Sequence, residues 1–146
     1  MIKQAQVTDA KAVAKLALRL WPNNSLVDFI EDMKSYIADK NSRIFLAFDE
    51  DLAIGFAQCQ LRTDYVEGTD SSPVGYLEGL YVLESHRHNG YARALVEASE
   101  RWALSMGCTE FASDCELDNT DSLEMHLRLG FIEANRIICF TKKLGN

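Results

Sequence analysis

No stretch of this chain is apolar for long enough to span a membrane, and its opening, Met1-Ile2-Lys3-Gln4-Ala5-Gln6, lacks the hydrophobic core of a secretory signal. These absences point to a cytoplasmic protein and away from a bilayer partner. No Cys-x-x-Cys pair occurs either. The four cysteines, Cys59, Cys108, Cys115 and Cys139, stand apart in apolar or strand-like settings. They read as reduced core residues, so neither a disulfide framework nor a metal site is expected. Positive charge is short as well: 15 Lys and Arg face 22 Asp and Glu, a net charge of −7. That balance argues against a nucleic-acid surface. Repeats, linkers and low-complexity segments are also missing. Residues 1–146 therefore read as one domain, large enough for a substantial core.

Periodicity supplies the elements. A short strand around Ile2 to Gln6 leads to Thr8-Asp9, which has N-cap chemistry. Val13, Leu16, Ala17 and Leu20 then recur at helical spacing, and Pro22 stops that helix after Trp21. Ser25 with Asp28 predicts a second helix, with an apolar stripe of Leu26, Phe29, Ile30, Met33 and Ile37. Ile44 to Phe48, the turn at Asp49-Glu50-Asp51 and Ala53 to Arg62 read as a hairpin. A polar loop through Asp70-Ser71-Ser72-Pro73 precedes a strand from Val74 to Val82. Gly90 opens a third helix, with Ala94, Leu95, Ala98, Trp102 and Met106 on one side and Gly107 at its end. A strand over Phe111 to Asp114, a helix from Asn119 or Thr120 to Leu129 and an alternating strand from Ile137 to Lys142 complete the pattern. The order is that of a three-layer α/β domain with a mixed sheet.

The junction after Leu77-Glu78-Gly79-Leu80-Tyr81-Val82 carries the most chemistry. There Arg87-His88-Asn89-Gly90-Tyr91-Ala92-Arg93 turns from a strand into a helix. Helix starts present unsatisfied N–H groups and a positive dipole end, which favour an anion. Gly90 and Ala92 are small where a phosphate must approach backbone, and Arg87, His88 and Arg93 add positive charge. This is neither a Walker loop nor a full Gly-x-Gly-x-x-Gly fingerprint. Gly79 inside a strand marks a bulge or a close backbone approach.

Arg87 to Ala92, with Asn119 and Leu129-Gly130-Phe131 at a fitting separation, resembles the acetyl-CoA motifs of the GCN5-related N-acetyltransferases (GNAT). Leu20-Trp21-Pro22, Asp64-Tyr65-Val66, Gly68, Asp70 to Val74, Leu77-Glu78-Gly79 and Ala112-Ser113-Asp114 further resemble the bacterial aminoglycoside 6'-N-acetyltransferases. The resemblance implies the acyl-CoA N-acyltransferase fold, an α+β arrangement whose central mixed, mainly antiparallel sheet has helices on both faces. It implies acetyl-CoA as cosubstrate, aminoglycosides of the kanamycin and tobramycin type as acceptors, and antibiotic resistance as the outcome. It places Trp21, Tyr65, Glu78 and Asp114 in the substrate site. It assigns the cofactor to Leu80, Tyr81, Val82, Arg87, His88, Asn89, Gly90, Tyr91, Ala92, Arg93 and Asn119. It also implies a homodimer, and Ile137 to Lys142 is apolar enough to pair across chains.

Elementary chemistry agrees with that assignment. A polyamine sugar calls for carboxylates, because charge-assisted bonds to ammonium groups are the stronger sort. The acids cluster accordingly: Asp64, Glu67 and Asp70 in one loop, Glu116, Asp118 and Asp121 in another. Glu78 and Asp114 sit in or beside strands expected to be mostly buried, where unpaired carboxylates are costly. Glu78 is the first candidate for general base and Asp114 the second, or an anchor for substrate. No cysteine is needed. Two departures stand out: His126 aligns with a Tyr that many of these enzymes use to protonate the leaving thiolate, and Asn135 replaces a substrate-binding acid of some relatives. The rival readings are an acetyltransferase for another amine, such as a polyamine or a protein N-terminus, and a non-catalytic acyl-CoA-binding module.

Overall fold

Ser25 accepts the Asp28 N–H at 3.0 Å and so starts the second helix where its capping chemistry predicts. Across the computed structural model, which describes Met1–Gly145, most elements follow their sequence signals in this way. They are β1 (Ile2–Gln4), α1 (Ala10–Leu20), α2 (Leu26–Ala38), β2 (Ser42–Asp49), β3 (Leu52–Arg62), β4 (Val74–Val82), α3 (Tyr91–Ser105), β5 (Phe111–Ala112) and α4 (Thr120–Arg128). Among the described residues, no helix is long and apolar enough to cross a membrane.

The chain forms two compact units, Met1–Asp114 and the segment from Cys115 onward. In the first, the strands lie in the order β1-β2-β3-β4-β5. Every neighbouring pair is antiparallel except β4 with β5, which run parallel. Helices cover both faces. Val13, Leu16, Phe29 and Met33 of α1 and α2 pack with Ile44, Leu46 and Phe56 of the sheet. Trp102 and Ala103 of α3 pack with Cys59, Phe45 and Leu61 on the opposite face. Strand alternation thus divides the side chains of β2 and β3 between two cores.

One irregularity shapes the site. Along β3 and β4, Gln58 pairs with Gly79 while its neighbour Cys59 pairs with Leu77, so Glu78 is an extra residue in β4. This is a β-bulge, as Gly79 predicts, and it sets Glu78 and Gly79 together opposite Gln58.

The second unit holds α4, capped by Asn119, whose Oδ1 accepts the Ser122 N–H at 3.1 Å. Gly130, at φ +95°, follows the helix end.

Three expectations are corrected. Ile137 to Lys142 forms no strand: residues 131–145 carry no regular structure, and among the described residues from Cys115 onward there is no strand to pair with. The fifth strand stops at Ala112, leaving Asp114 beyond it. Asp9 does not cap α1. Its carboxylate reaches back to the Gln6 N–H at 2.8 Å, closing a short 3-10 turn over Val7–Asp9.

Candidate active site

On the α1/α2 side of the sheet, the bulge brings Glu78 beside Arg62, the last residue of β3. Arg62 Nη2 donates to Glu78 Oε1 at 2.9 Å and to Oε2 at 3.0 Å, and Arg62 Nε donates to Oε2 at 3.1 Å. The guanidinium carbon lies 3.5 Å from the centre of the Tyr76 ring. Tyr76 in turn donates its hydroxyl to Asp114 Oδ2. Burial, then the Asp114 carboxylate, pushes the Tyr76 phenol well above its ordinary range, so it stays a donor.

These contacts change the expected picture of the two acids. Both were expected mostly buried in adjoining central strands. Glu78 is half-buried and ion-paired, while Asp114 is exposed beyond an edge strand and accepts from a phenol. Neither carboxylate is left without a partner, which removes the desolvation cost that unpaired burial would impose.

Trp21, at the end of α1, is half-buried beside the same strand. Its indole meets Phe29 and Phe56 edge-on, each at 6.2 Å between ring centres. It packs so tightly on Gly79 that only a residue without Cβ fits beneath it. Tyr65 stands 77% exposed on the loop between β3 and β4. Its neighbour Val66 is buried with Val74 and Tyr76, which roots that loop. Glu110 adds a clamp, accepting from the Asp70 N–H at 2.9 Å and from the Ser71 hydroxyl. The Ser71 bond, then the Asp70 bond, holds the Glu110 carboxyl below its ordinary value.

Next to the acids, β4 has an open edge. β5 pairs only with Gly75 and Tyr76, so among the described residues the stretch from Leu77 to Val82 has no ladder on that side. Leu83 N–H donates to Ile54 O on β3 at 2.8 Å, and Val82 O accepts from Arg87 Nε at 2.9 Å. Alternation then turns the polar groups of Tyr81 toward β3, and those of Leu80 and Val82 toward the open edge.

The corner that follows is built around left-handed backbone, with φ +64° at His88 and +84° at Gly90. Asn89 Nδ2 donates to the carbonyls of His86 at 3.2 Å and Arg87 at 3.1 Å, fixing the turn. Nothing lies within 4 Å of where a Gly90 Cβ would stand, so the space over the start of α3 is open. Tyr91 and Ala92 begin that helix, whose first N–H groups have no intrahelical acceptors. Arg87 is partly committed: its N–H bonds Glu84 O at 3.3 Å and its side chain turns back over Tyr81.

An open strand edge thus lies beside the two partnered acids, and a helix start with room for an anion follows it. The model of the acetyltransferase (GNAT) family matches residues 10–131. This chain belongs to the GNAT acetyltransferase family. It is 41% identical to the aminoglycoside N(6')-acetyltransferase type 1 of Acinetobacter haemolyticus, over 98% of each chain. Its fold is similar to the aminoglycoside N-acetyltransferase AAC(6')-Iy in complex with CoA, with TM-score 0.95, 38% identity and coverage of 99% of this chain and 95% of that one. AAC(6')-Iy in complex with a bisubstrate analogue, CoA-S-monomethyl-acetylneamine, gives TM-score 0.94 at 38% identity, covering 99% and 98%.

Other residues of this GNAT chain are placed as follows. His126 Nδ1 lies 2.7 Å from Ser122 O, a pure acceptor, so that nitrogen carries the proton. Its ring packs on Phe131 at 5.2 Å. Cys59 and Cys108 are buried, and burial pushes the Cys59 thiol up to about 12. Cys115 and Cys139 are exposed, contrary to their reading as core residues. Arg62 and Tyr76 are the site residues that sequence reasoning missed. Their only signal was position, one at the end of a strand leading into the acidic loop, the other two residues before Glu78.

Proposed function

We propose that this GNAT acetyltransferase moves acetyl from acetyl-CoA directly onto the 6'-amine of aminoglycoside antibiotics, and so confers resistance. The observation that carries this reading is the pair of acids, Glu78 and Asp114, tied through Arg62 and Tyr76 beside the open edge of β4. An acidic face suits a polycationic sugar, and the fixed charges steer it inward.

The residues present fit coenzyme A. Leu80 and Val82 offer backbone groups to a pantetheine chain, as an added strand would use them. His88, Asn89, Gly90, Tyr91, Ala92 and Arg93 shape the pyrophosphate seat, with Arg87 and Tyr81 supporting it. Asn119 contributes by opening α4. When bound, acetyl-CoA supplies an activated acetyl thioester.

The chain's own task is to prepare the amine. A primary alkylammonium has a reference pKa near 10.4, so only about one molecule in a thousand or fewer is neutral at pH 7. Glu78 accepts the proton, directly or through water, and the nitrogen lone pair is then free to attack. Asp114 anchors a second ammonium. Trp21 and Tyr65 cover the sugar. The new N–C bond forms as the thioester C–S bond breaks; the sulfur leaves as thiolate and takes up, directly or through water, the second proton that the nitrogen sheds on becoming an amide, so the products are the amide and the thiol. None of the four cysteines takes part.

We further propose that residues 1–146 act as one cytoplasmic domain and assemble as a homodimer. Ile132, Ile137, Ile138 and Phe140 are exposed on a segment without a strand partner, which supports pairing with a second copy.

One experiment decides the substrate. Thiol release from acetyl-CoA is measured with kanamycin, tobramycin, an analogue bearing a 6'-hydroxyl, spermidine and a peptide N-terminus. Turnover with the first two and none with the 6'-hydroxyl analogue is expected. Activity on spermidine or the peptide alone would favour the other-amine reading, and silence with every amine would favour a binding module.

A further inference from the structure

Arg62 is tied to the acid of the site rather than to the hydrophobic core. Its side chain is 39% exposed and that of Glu78 19%, so the pair sits at the boundary between the sheet face and water. Yet it is held with more order than an incidental surface pair. The guanidinium presents a fork to both Glu78 oxygens and stands over the ring of Tyr76, which bonds Asp114. Residues of β3 and β4 and a residue just beyond β5 therefore form one chain, Glu78–Arg62–Tyr76–Asp114.

Resting on the acetyltransferase reading above, we infer that Arg62 is a positioning residue which aims the Glu78 carboxylate and acts as a resident rival to the substrate's cations. A carboxylate has about four lone-pair directions. The fork takes up those on one edge, so the others point in a fixed direction, available to an amine proton. A carboxylate free to swing would meet that proton at the right distance and angle only part of the time. The same guanidinium also offsets one negative charge in a site built to attract ammonium groups. It weakens ground-state capture of the polycation while sharpening the proton transfer, and so separates binding from turnover.

Lysine cannot replace it fully. An ammonium keeps the charge, but has no planar fork to match the carboxylate.

The test uses the full chain with kanamycin as acceptor at saturating acetyl-CoA, comparing wild type with Arg62→Met and Arg62→Lys. For Arg62→Met, kcat is expected to fall about 10- to 100-fold, the scale set by loss of catalytic alignment. Its KM for kanamycin stays level or drops, while the KM for acetyl-CoA and the melting temperature stay near wild type. Arg62→Lys recovers only part of kcat. Full recovery by Lys would overturn the fork, and unchanged kcat in Arg62→Met would overturn the whole inference. A rise in both KM values together with a large fall in melting temperature would mark Arg62 as merely structural. If Arg62→Met does not fold, the Lys variant decides by the same split between kcat and KM. Wild type inactive on every aminoglycoside would instead sink the functional reading, and this inference with it.

Discussion

The indole of Trp21 lies over Gly79 so closely that a Cβ added there would sit 2.5 Å from Trp21 Cη2 and 3.0 Å from Cζ2. The helix end and the strand are matched at that point, and the match holds an aromatic ring beside the acid next door. Gly79→Ala must therefore push the ring aside. Overpacking of this kind costs about 1–3 kcal/mol. We expect a several-fold higher KM for aminoglycoside with unchanged coenzyme A affinity. Adding Trp21→Phe, a smaller ring, should recover part of the lost stability, and a double-mutant cycle measures that coupling. Strict additivity would show that the two residues do not meet.

Glu78→Gln keeps an acceptor for Arg62 but removes the carboxylate proposed as the general base. Turnover should drop about 100-fold or more, the usual scale for loss of a general base. Calorimetric titration should find coenzyme A binding close to wild type. Undiminished turnover would move the base elsewhere, with Asp114 the next to test.

Gly90 holds φ +84° in open space, so a side chain there meets no protein atom and the penalty is conformational. A β-branched residue in the left-handed region costs about 1–2 kcal/mol or more. Gly90→Val should therefore reshape the start of α3 and weaken coenzyme A binding about tenfold, the factor that 1.4 kcal/mol represents. Normal affinity in this variant would mean that the corner does not seat the pyrophosphate.

Glu110 offers a test by pH. Its folded carboxyl titrates below the ordinary 4.5 because the Ser71 hydroxyl and Asp70 N–H bond its ionised form. A depressed folded pKa gives a contribution present above the unfolded value and lost as pH falls through the folded one. The melting-temperature gap between wild type and Glu110→Gln should be open at pH 7 and close below pH 4.5. A gap that persists unchanged to pH 3 would show that the clamp does not depend on charge.

What was legible in the sequence was whatever is local. Ser25 named its helix start, Gly107 and Gly130 their helix ends, and the run Leu77 to Val82 its strand, because caps, stops and periodicity act within a few residues. The bulge announced itself through Gly79, although not which residue it would set apart. The partners of the acids were hidden. Arg62 and Glu78 are 16 positions apart and Tyr76 and Asp114 are 38 apart, so only the register of three strands brings them together. The alternating tail from Ile137 shows the opposite failure: its pattern is that of a strand, but a ladder needs a neighbour that the pattern cannot supply.

The bulge has one more implication. Glu78 is supernumerary to the β3–β4 pairing, since Leu77 and Gly79 already answer the two adjacent residues Cys59 and Gln58. The carboxylate proposed as the base therefore occupies a place that the sheet does not require for its own continuity. Architecture and chemistry are carried by different residues of the same strand, so selection can retune the acid without redrawing the scaffold.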